Sequence, residues 1–209
     1  IVHRFHLNPR FKQVFLRRTF PELKNEIIPR TGDIYKHFGA TYNKSDHVWT
    51  FPRPDQYGSG YTNSGAMIFF GHCEDENDVH QYDSMEISLF TPDEITSLTE
   101  YIYLYIAFER GRAPKGSGLP SITRAAGMPG GIGHTFVKKR FIDSYPAGDG
   151  KRAIIGRGGN KRVYIHSTQA DNKDYIDPTY EQSLQGSPEA ERNTKLYGDC
   201  GAYQRQVSD

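Results

Sequence analysis

Residues 87–94 read Ile-Ser-Leu-Phe-Thr-Pro-Asp-Glu, an apolar run that ends on two adjacent carboxylates. The run predicts a buried strand over Glu86–Phe90. In open α/β sheets, ligand-binding residues follow the carboxyl ends of the strands. Asp93 and Glu94 therefore predict a site for phosphoryl transfer, in which one acid binds Mg²⁺ and the other orients an attacking water.

A second interpretation of the same residues stays open. Thr91, Pro92, Asp93 and Glu94 are also typical of a helix start, with Thr91 as the cap and Pro92 in the first turn. The apolar residues that follow recur at helical spacing and predict a helix over Glu94–Arg110.

Strand and helix patterns alternate on both sides of this run. Strands are predicted at Val14–Leu16, Trp49–Phe51, Ala66–Phe70 and Ser121–Thr123. Helices are predicted at Pro21–Ile28, Phe136–Phe141, Tyr180–Gln185 and Pro188–Tyr197, and hairpins at Arg53–Asn63 and Ala153–Ile165. This alternation indicates an α/β layer fold, and the polar last third of the chain predicts a smaller helical subdomain.

The bulk composition excludes several classes of protein. The 209 residues carry a formal net charge of +1, which argues against a generally basic nucleic-acid coat protein. Only two cysteines are present, too few for a disulfide framework, and no apolar run approaches the roughly 20 residues that span a bilayer. The sequence begins with Ile1 rather than Met, and we expect it to be a soluble interior piece of a longer protein.

A glycine-rich turn precedes a basic segment. Gly127, Met128, Pro129, Gly130 and Gly131 lead through His134 to Lys138, Lys139 and Arg140. Dense glycine lets backbone N–H groups converge on an anion, although a plain tight connection explains the glycines equally well. The basic residues predict either a contact with a nucleic-acid backbone or a solvated charged face.

Two further patterns bear on chemistry. A phosphate-binding loop needs G-x-x-x-x-G-K-[ST], and no segment of the chain fits it. Glu74, Asp75, Glu76 and Asp78 form an acidic cluster, which predicts either a solvated loop or the metal site of a nuclease.

Collinear segments across nearly the whole chain resemble the ATPase domain of phage terminase large subunits. They are Phe11–Pro29 (FKQVFLRRTFPELKNEIIP), Trp49–Pro52 (WTFP), Phe70–Asp78 (FGHCEDEND), Asp93–Tyr103 (DEITSLTEYIY), Pro129–Asp143 (PGGIGHTFVKKRFID), Val163–Thr168 (VYIHST), Ile176–Tyr180 (IDPTY) and Glu189–Asp199 (EAERNTKLYGD). The resemblance implies a partial RecA-like P-loop core, with a mixed, mainly parallel sheet and flanking helices, over residues 1–144. It also implies a small helical lid over residues 145–209.

The resemblance also implies roles for individual residues. Asp93 becomes the Walker B ligand of Mg²⁺, and Glu94 becomes the carboxylate that orients the water. The turn Gly127–Gly131 becomes the coupling motif that senses the terminal phosphate of ATP. The Walker A segment is expected upstream of Ile1, and a nuclease domain is expected beyond Asp209.

Two functions follow from the resemblance. The first is an ATP-driven motor that packages double-stranded DNA into procapsids, as a ring that works with the portal protein and the small terminase subunit in the host cytoplasm, away from membranes. The second is a non-catalytic fragment or decayed prophage module that keeps the fold alone. Met128 stands where the family has Asn, and Cys200 where it has Trp. We therefore expect the chain to be inactive without its P-loop.

Overall fold

The computed structural model describes residues 5–54, 61–62, 65–143, 153–155, 160–177 and 179–201. The chain forms two compact units, Ile1–Ala126 and Gly127–Asp209. The predicted boundary between residues 144 and 145 lies outside the described residues and stays a prediction.

The first unit is built on a six-stranded sheet in the order β2-β3-β6-β1-β7-β8. Its strands are β1 Lys12–Arg17, β2 Thr41–Asn43, β3 Val48–Thr50, β6 Met67–His72, β7 Leu89–Pro92 and β8 Ile122–Thr123. Strands β6, β1, β7 and β8 are parallel, whereas β2 and β3 add to the β6 edge in antiparallel fashion. The predicted mixed, mainly parallel sheet is confirmed. Strands β4 Arg53–Pro54 and β5 Tyr61–Thr62 form a separate hairpin.

Helical segments connect the strands. After β1 the chain is continuously helical through Phe20–Glu22, Leu23–Ile27, Ile28–Tyr35 and Lys36–Phe38, with a wide π turn in the second segment. Later segments are Glu76–Tyr82, Ile95–Ser97, Glu100–Leu104 and Tyr105–Arg110. Parallel strands require long connections of this kind, because the chain must return to the opposite end of the sheet before the next strand begins.

One face of the sheet carries an aromatic core. Side chains alternate along a strand, so Trp49 and Ile68 point to the same face as Leu89. The helix Ile28–Tyr35 covers this face through Tyr35, whose ring centroid lies 5.8 Å from that of Trp49 and 5.4 Å from that of Phe51. Burial of these large rings is the main stabilising contribution on this side.

The opposite face is packed by the helices that follow β6 and β7. Val14, Leu16 and Phe90 are buried here, and Phe90 lies 6.4 Å from the ring of Tyr103 in the helix Glu100–Leu104. The hydroxyl end of Tyr82 packs against β6 at Gly71, where an added Cβ would fall 2.0 Å from the hydroxyl oxygen. Only glycine permits this close approach of a ring to the strand.

The second unit has a small apolar core. Its helices are His134–Val137 with Lys138–Ile142, Gln169–Tyr175, Tyr180–Ser183 with Leu184–Gly186, and Glu189–Tyr197. Strands β9 Ala153–Ile155 and β10 Lys161–Val163 pair as the predicted hairpin. Phe136, Leu184 and Leu196 are buried, while Ile165 and Tyr197 are exposed.

The structure corrects the prediction around the acidic pair. Strand β7 runs to Pro92, so Thr91 and Pro92 belong to a strand and not to a helix start. The helix predicted from Glu94 begins at Glu100, where Thr99 caps it by accepting a hydrogen bond from the Ile102 N–H. Proline has no backbone N–H to donate. Pro92 is tolerated at this strand end because the next residue, Asp93, donates its N–H to the Leu16 carbonyl of β1.

Candidate functional site

Asp93 lies directly beyond the carboxyl end of β7, between two parallel neighbours. Its N–H donates to the Leu16 carbonyl of β1 at 2.9 Å, which continues the ladder by one residue past the strand. Its side chain is about four-fifths buried. The carboxylate is therefore held at the edge of the sheet where ligands bind in open α/β folds.

Glu94 turns the chain sharply away from the strand. Its backbone is left-handed, with φ 55° and ψ 54°. Such a conformation costs a residue other than glycine roughly 1–2 kcal/mol. The turn is held by Ser97, whose N–H and hydroxyl both donate to the Glu94 carbonyl, at 2.8 and 2.7 Å. Strained backbone is typical of functional sites, and here it falls on the predicted water-orienting residue.

Arg17, the last residue of β1, forms an ion pair with Asp93. Nε and Nη2 of the guanidinium each lie 2.7 Å from Oδ2 of the carboxylate. Sequence reasoning missed this pair, because Arg17 and Asp93 lie 76 positions apart and no local pattern links them. The available signal was its position, since the ends of adjacent parallel strands meet at one edge of the sheet.

A second polar contact lies on the same face of β1 and β7. Gln13 is buried, and its Nε2 donates to the Thr91 hydroxyl at 3.0 Å. Because residues two apart share a face, Gln13 and Thr91 precede Arg17 and Asp93 along this side of the two strands. Two polar contacts therefore lie on this face of β1 and β7, with Phe15 between them on β1, and sequence reasoning missed both.

The chain after β8 runs beside the acidic turn. The Ala126 N–H donates to the Pro92 carbonyl at 3.3 Å, and the Ala126 carbonyl accepts from the Ile95 N–H at 2.9 Å. Ala126 is followed directly by Gly127, the first residue of the predicted coupling motif. The first unit thus ends on a residue that is hydrogen-bonded to both sides of Asp93 and Glu94.

The glycine turn opens the second unit. Gly130 and Gly131 have φ of 122° and 75°, conformations that glycine adopts without strain. The Gly130 N–H donates to Nδ1 of His134 at 3.1 Å, so His134 carries its ring proton on Nε2 when neutral. Burial lowers the pKa of His134. The Gly130 N–H, one of the groups predicted to face an anion, therefore donates to the ring of His134 instead.

The basic segment has internal partners. Lys138 Nζ lies 2.6 Å from Oδ1 of Asp143, and the Arg140 guanidinium lies 5.9 Å from the centre of the Phe141 ring. Lys139 is exposed. The predicted contact of Lys138, Lys139 and Arg140 with DNA stays a prediction.

The acidic cluster at residues 74–78 serves as a helix cap. Asp75 accepts a hydrogen bond from the Asn77 N–H, and Asp78 accepts from the N–H groups of Glu74 and Asp75. Within the described part of the chain, no group of three or more His, Cys, Asp or Glu side chains is placed to hold a metal ion. The nuclease interpretation of this cluster therefore has no support in the structure.

The Asp93 carboxylate is a type of ligand that Mg²⁺ accepts. Mg²⁺ binds proteins through one or two carboxylates and takes its other ligands from water and phosphate oxygens. Asp93 offers a carboxylate at a ligand-binding edge, and a positive group, the Arg17 guanidinium, already lies against it. A cation bound to Asp93 would draw its remaining ligands from water and a bound phosphate.

Comparison with known proteins identifies the fold. No protein-family model matches the chain, and no curated protein matches it in sequence. Solved structures do match. The large terminase of a thermophilic bacteriophage superposes with a TM-score of 0.64 at 12% identity, over 91% of this chain and 41% of that one. A second crystal form of the same terminase, in complex with ADP, gives the same values.

A further match is the ATPase domain of the large terminase of Thermus phage P74-26. It superposes with a TM-score of 0.53 at 10% identity, over 93% of this chain and 77% of that domain. The chain thus has the mixed-sheet fold of phage large terminase ATPase domains. It spans 41% of the length of the first terminase that it matches. Within its described residues, no helix is both long enough and apolar enough to cross a membrane.

Proposed function

We propose that the chain is the ATPase portion of a phage terminase large subunit, a motor that drives double-stranded DNA into procapsids. One observation supports the proposal: in a chain with the terminase ATPase fold, Asp93 and Glu94 directly follow β7, a strand with a parallel neighbour on each side. Two adjacent acids at that edge suit phosphoryl transfer, which needs one group for the metal and one for the water.

In this proposal the ligand and its metal are ATP and Mg²⁺. The matched terminase in complex with ADP supports a nucleotide as the ligand. Asp93 would hold the cation, which when bound neutralises charge on the phosphates. Glu94 would accept a hydrogen bond from the attacking water. The strained turn fixes the backbone position from which the Glu94 side chain extends. Phosphate binding itself would need a Walker A segment, which no stretch of these 209 residues provides.

The turn Gly127–Gly131 would couple hydrolysis to movement. It follows Ala126, whose backbone is hydrogen-bonded to both sides of the acidic turn. A change in the backbone at Glu94 would therefore reach Gly127 through a single residue. Residues 145–209 would act as the lid. The partners in this proposal are DNA, the portal protein, the small subunit and further copies in a ring, in the host cytoplasm.

Hydrolysis of ATP tests the proposal. The longest polypeptide that the gene encodes is incubated with Mg²⁺ and ATP, with and without double-stranded DNA, beside Glu94→Gln and the control Glu100→Gln. Glu100 is exposed at the start of the following helix. We expect hydrolysis that DNA stimulates, a loss of at least about 100-fold in Glu94→Gln, and no change in Glu100→Gln.

Two results would redirect the proposal. Equal hydrolysis by Glu94→Gln and the native protein would remove Glu94 from the chemistry. If a folded polypeptide neither binds nor hydrolyses ATP, the second function applies, in which the chain keeps the fold without catalysis. Met128, in place of the family's Asn, is the observation that favours this second function.

A further inference from the structure

The Arg17–Asp93 pair differs from an ordinary surface ion pair. Two nitrogens of one guanidinium contact one carboxylate oxygen, each at 2.7 Å. The side chains are only 20% and 19% exposed. Charged hydrogen bonds at such distances are among the strong ones, and partial burial reduces screening by solvent. Removing either partner would leave a largely buried charge without compensation.

The backbone around the pair is fixed, whereas the arginine side chain is long. Leu16 and Pro92 pair in the sheet, and the Asp93 N–H donates to the Leu16 carbonyl. The backbone that carries the Asp93 carboxylate is therefore held by a hydrogen bond to the neighbouring strand β1. The Arg17 guanidinium is attached through three methylene groups and can leave Oδ2 without breaking a strand hydrogen bond.

A guanidinium and a divalent cation compete for this carboxylate. Both are attracted to its negative charge, and the divalent ion carries twice the positive charge of the guanidinium. Mg²⁺ also gives up its water reluctantly, so a carboxylate that is already neutralised attracts it weakly. Arg17 therefore opposes binding of a metal ion at Asp93 for as long as it stays on Oδ2.

We propose that Arg17 is a built-in counter-ion of Asp93 that has to leave before the carboxylate binds a divalent cation. The inference rests on the proposed function, which assigns the cation to Asp93. Arg17 then acts as a positioning residue: it holds the empty site in order and keeps the affinity for free metal low. The metal ion would bind mainly together with a nucleotide, whose phosphates supply the additional ligands.

The test uses Mn²⁺ without nucleotide and the full 209-residue chain. Free Mn²⁺ is measured by electron paramagnetic resonance during titration of the native chain, Arg17→Met and Arg18→Met. Arg18 is the exposed neighbour and serves as the matched control. We expect Arg17→Met to bind Mn²⁺ at least about tenfold more tightly than the native chain, because one positive charge has been removed. Arg18→Met should match the native chain.

Two more variants identify the site that binds. Adding Asp93→Asn to Arg17→Met should abolish the gain in affinity. Arg17→Lys keeps the charge but loses the two-nitrogen contact, so its affinity should fall between those of the native chain and Arg17→Met. It also serves as the test variant if Arg17→Met does not fold. Melting of Arg17→Met should shift upward with Mn²⁺, whereas melting of the native chain should not.

Several results would overturn the inference. If Arg17→Met, or Arg17→Lys in its place, binds Mn²⁺ no more tightly than the native chain, the inference is wrong. The ion pair then serves only to connect the ends of β1 and β7. A gain that survives Asp93→Asn would place the metal elsewhere. Failure here is distinguishable from failure of the proposed function, because this titration contains no ATP. A chain that gains affinity as expected but never hydrolyses ATP would contradict the proposed function alone.

Discussion

The two compact units are stabilised in different ways. In the first, large rings are fully buried between sheet and helices, with Phe11, Phe51 and Phe90 at 1% exposure or less. In the described part of the second, the buried apolar side chains are fewer (Phe136, Leu184 and Leu196), and Val163 and Ile165 are exposed. Because burial of apolar surface is the dominant favourable term in folding, mutations should cost more in the first unit.

The comparison also concerns how each unit uses its polar groups. In the first unit, Glu94 has a strained backbone and Asp93 forms a partly buried ion pair with Arg17. A packed sheet offsets that cost. The glycine turn of the second unit uses left-handed glycines, which carry no such strain. The strained residue and the ion pair therefore both lie in the well-packed unit.

The largest expected effect is the loss of a core ring in the first unit. Phe51→Ala should lower the free energy of unfolding by about 3–5 kcal/mol, because it removes a fully buried ring and leaves a cavity. Trp49, the chain's single tryptophan, lies in the same core and reports unfolding of this unit by fluorescence during denaturation with urea. The control Phe108→Ala removes an exposed ring and should cost far less. Equal losses of stability in the two variants would show that burial of the ring does not decide the effect.

A smaller effect is expected where packing depends on the absence of a side chain. Gly71→Ala should lower the free energy of unfolding by about 1–3 kcal/mol, because its Cβ would meet the Tyr82 hydroxyl. Denaturation with urea measures the loss. The double variant with Tyr82→Phe should recover part of it, since the closest atom is gone. A loss unaffected by Tyr82→Phe would show that the strand itself, and not the ring, is responsible.

The corresponding glycine in the second unit acts through the backbone. Gly198 ends the helix Glu189–Tyr197 with φ 63°, and His166 Nε2 donates to the Tyr197 carbonyl just before it. Gly198→Ala should destabilise this helix end by about 1–2 kcal/mol, seen as faster amide hydrogen exchange in residues 189–197. Gly198→Asn should cost less, since asparagine tolerates this conformation. Equal exchange in the two variants would show that the contact with His166 decides the effect.

The smallest effect concerns the two thiols, one in each unit. Burial raises the pKa of Cys73 to about 12, and the pKa of the half-buried Cys200 is raised as well. Cys200 should be modified by a thiol reagent in the folded chain at neutral pH, whereas Cys73 should be modified only on unfolding. Mass spectrometry locates the modification. Modification of Cys73 first would show that the first unit opens more readily than its packing suggests.

The raised pKa of Cys73 also predicts a dependence on pH. The folded state retains the thiol proton above pH 9.0, the ordinary value, whereas the unfolded state releases it. The stabilisation from the buried thiol is therefore complete below pH 9.0 and is lost as the pH rises towards about 12. Cys73→Ala should show a weaker loss of stability over that range in urea titrations.

Local patterns predicted most elements, but at the acidic pair they left two local structures open. Apolar runs located β1, β3 and β6, because strands buried on both faces are apolar throughout. At residues 87–94 the structure has a strand that ends just before the two acids, and the alternative of a helix start at Thr91 and Pro92 is wrong. A proline is acceptable there only because its neighbours supply the hydrogen bonds, and those neighbours are distant in sequence.

The amino-acid sequence by itself determined the alternation of strands and helices, the acidic pair, the glycine turn and the missing phosphate-binding loop. Each depends on residue type and on spacing within a few positions, which propensity and periodicity report directly. Only the tertiary structure decided that Arg17 lies on Asp93, that Glu94 is left-handed and that His134 takes the Gly130 N–H. The first depends on the order of parallel strands, and the other two on a turn and a ring packed by their surroundings, which no local pattern encodes.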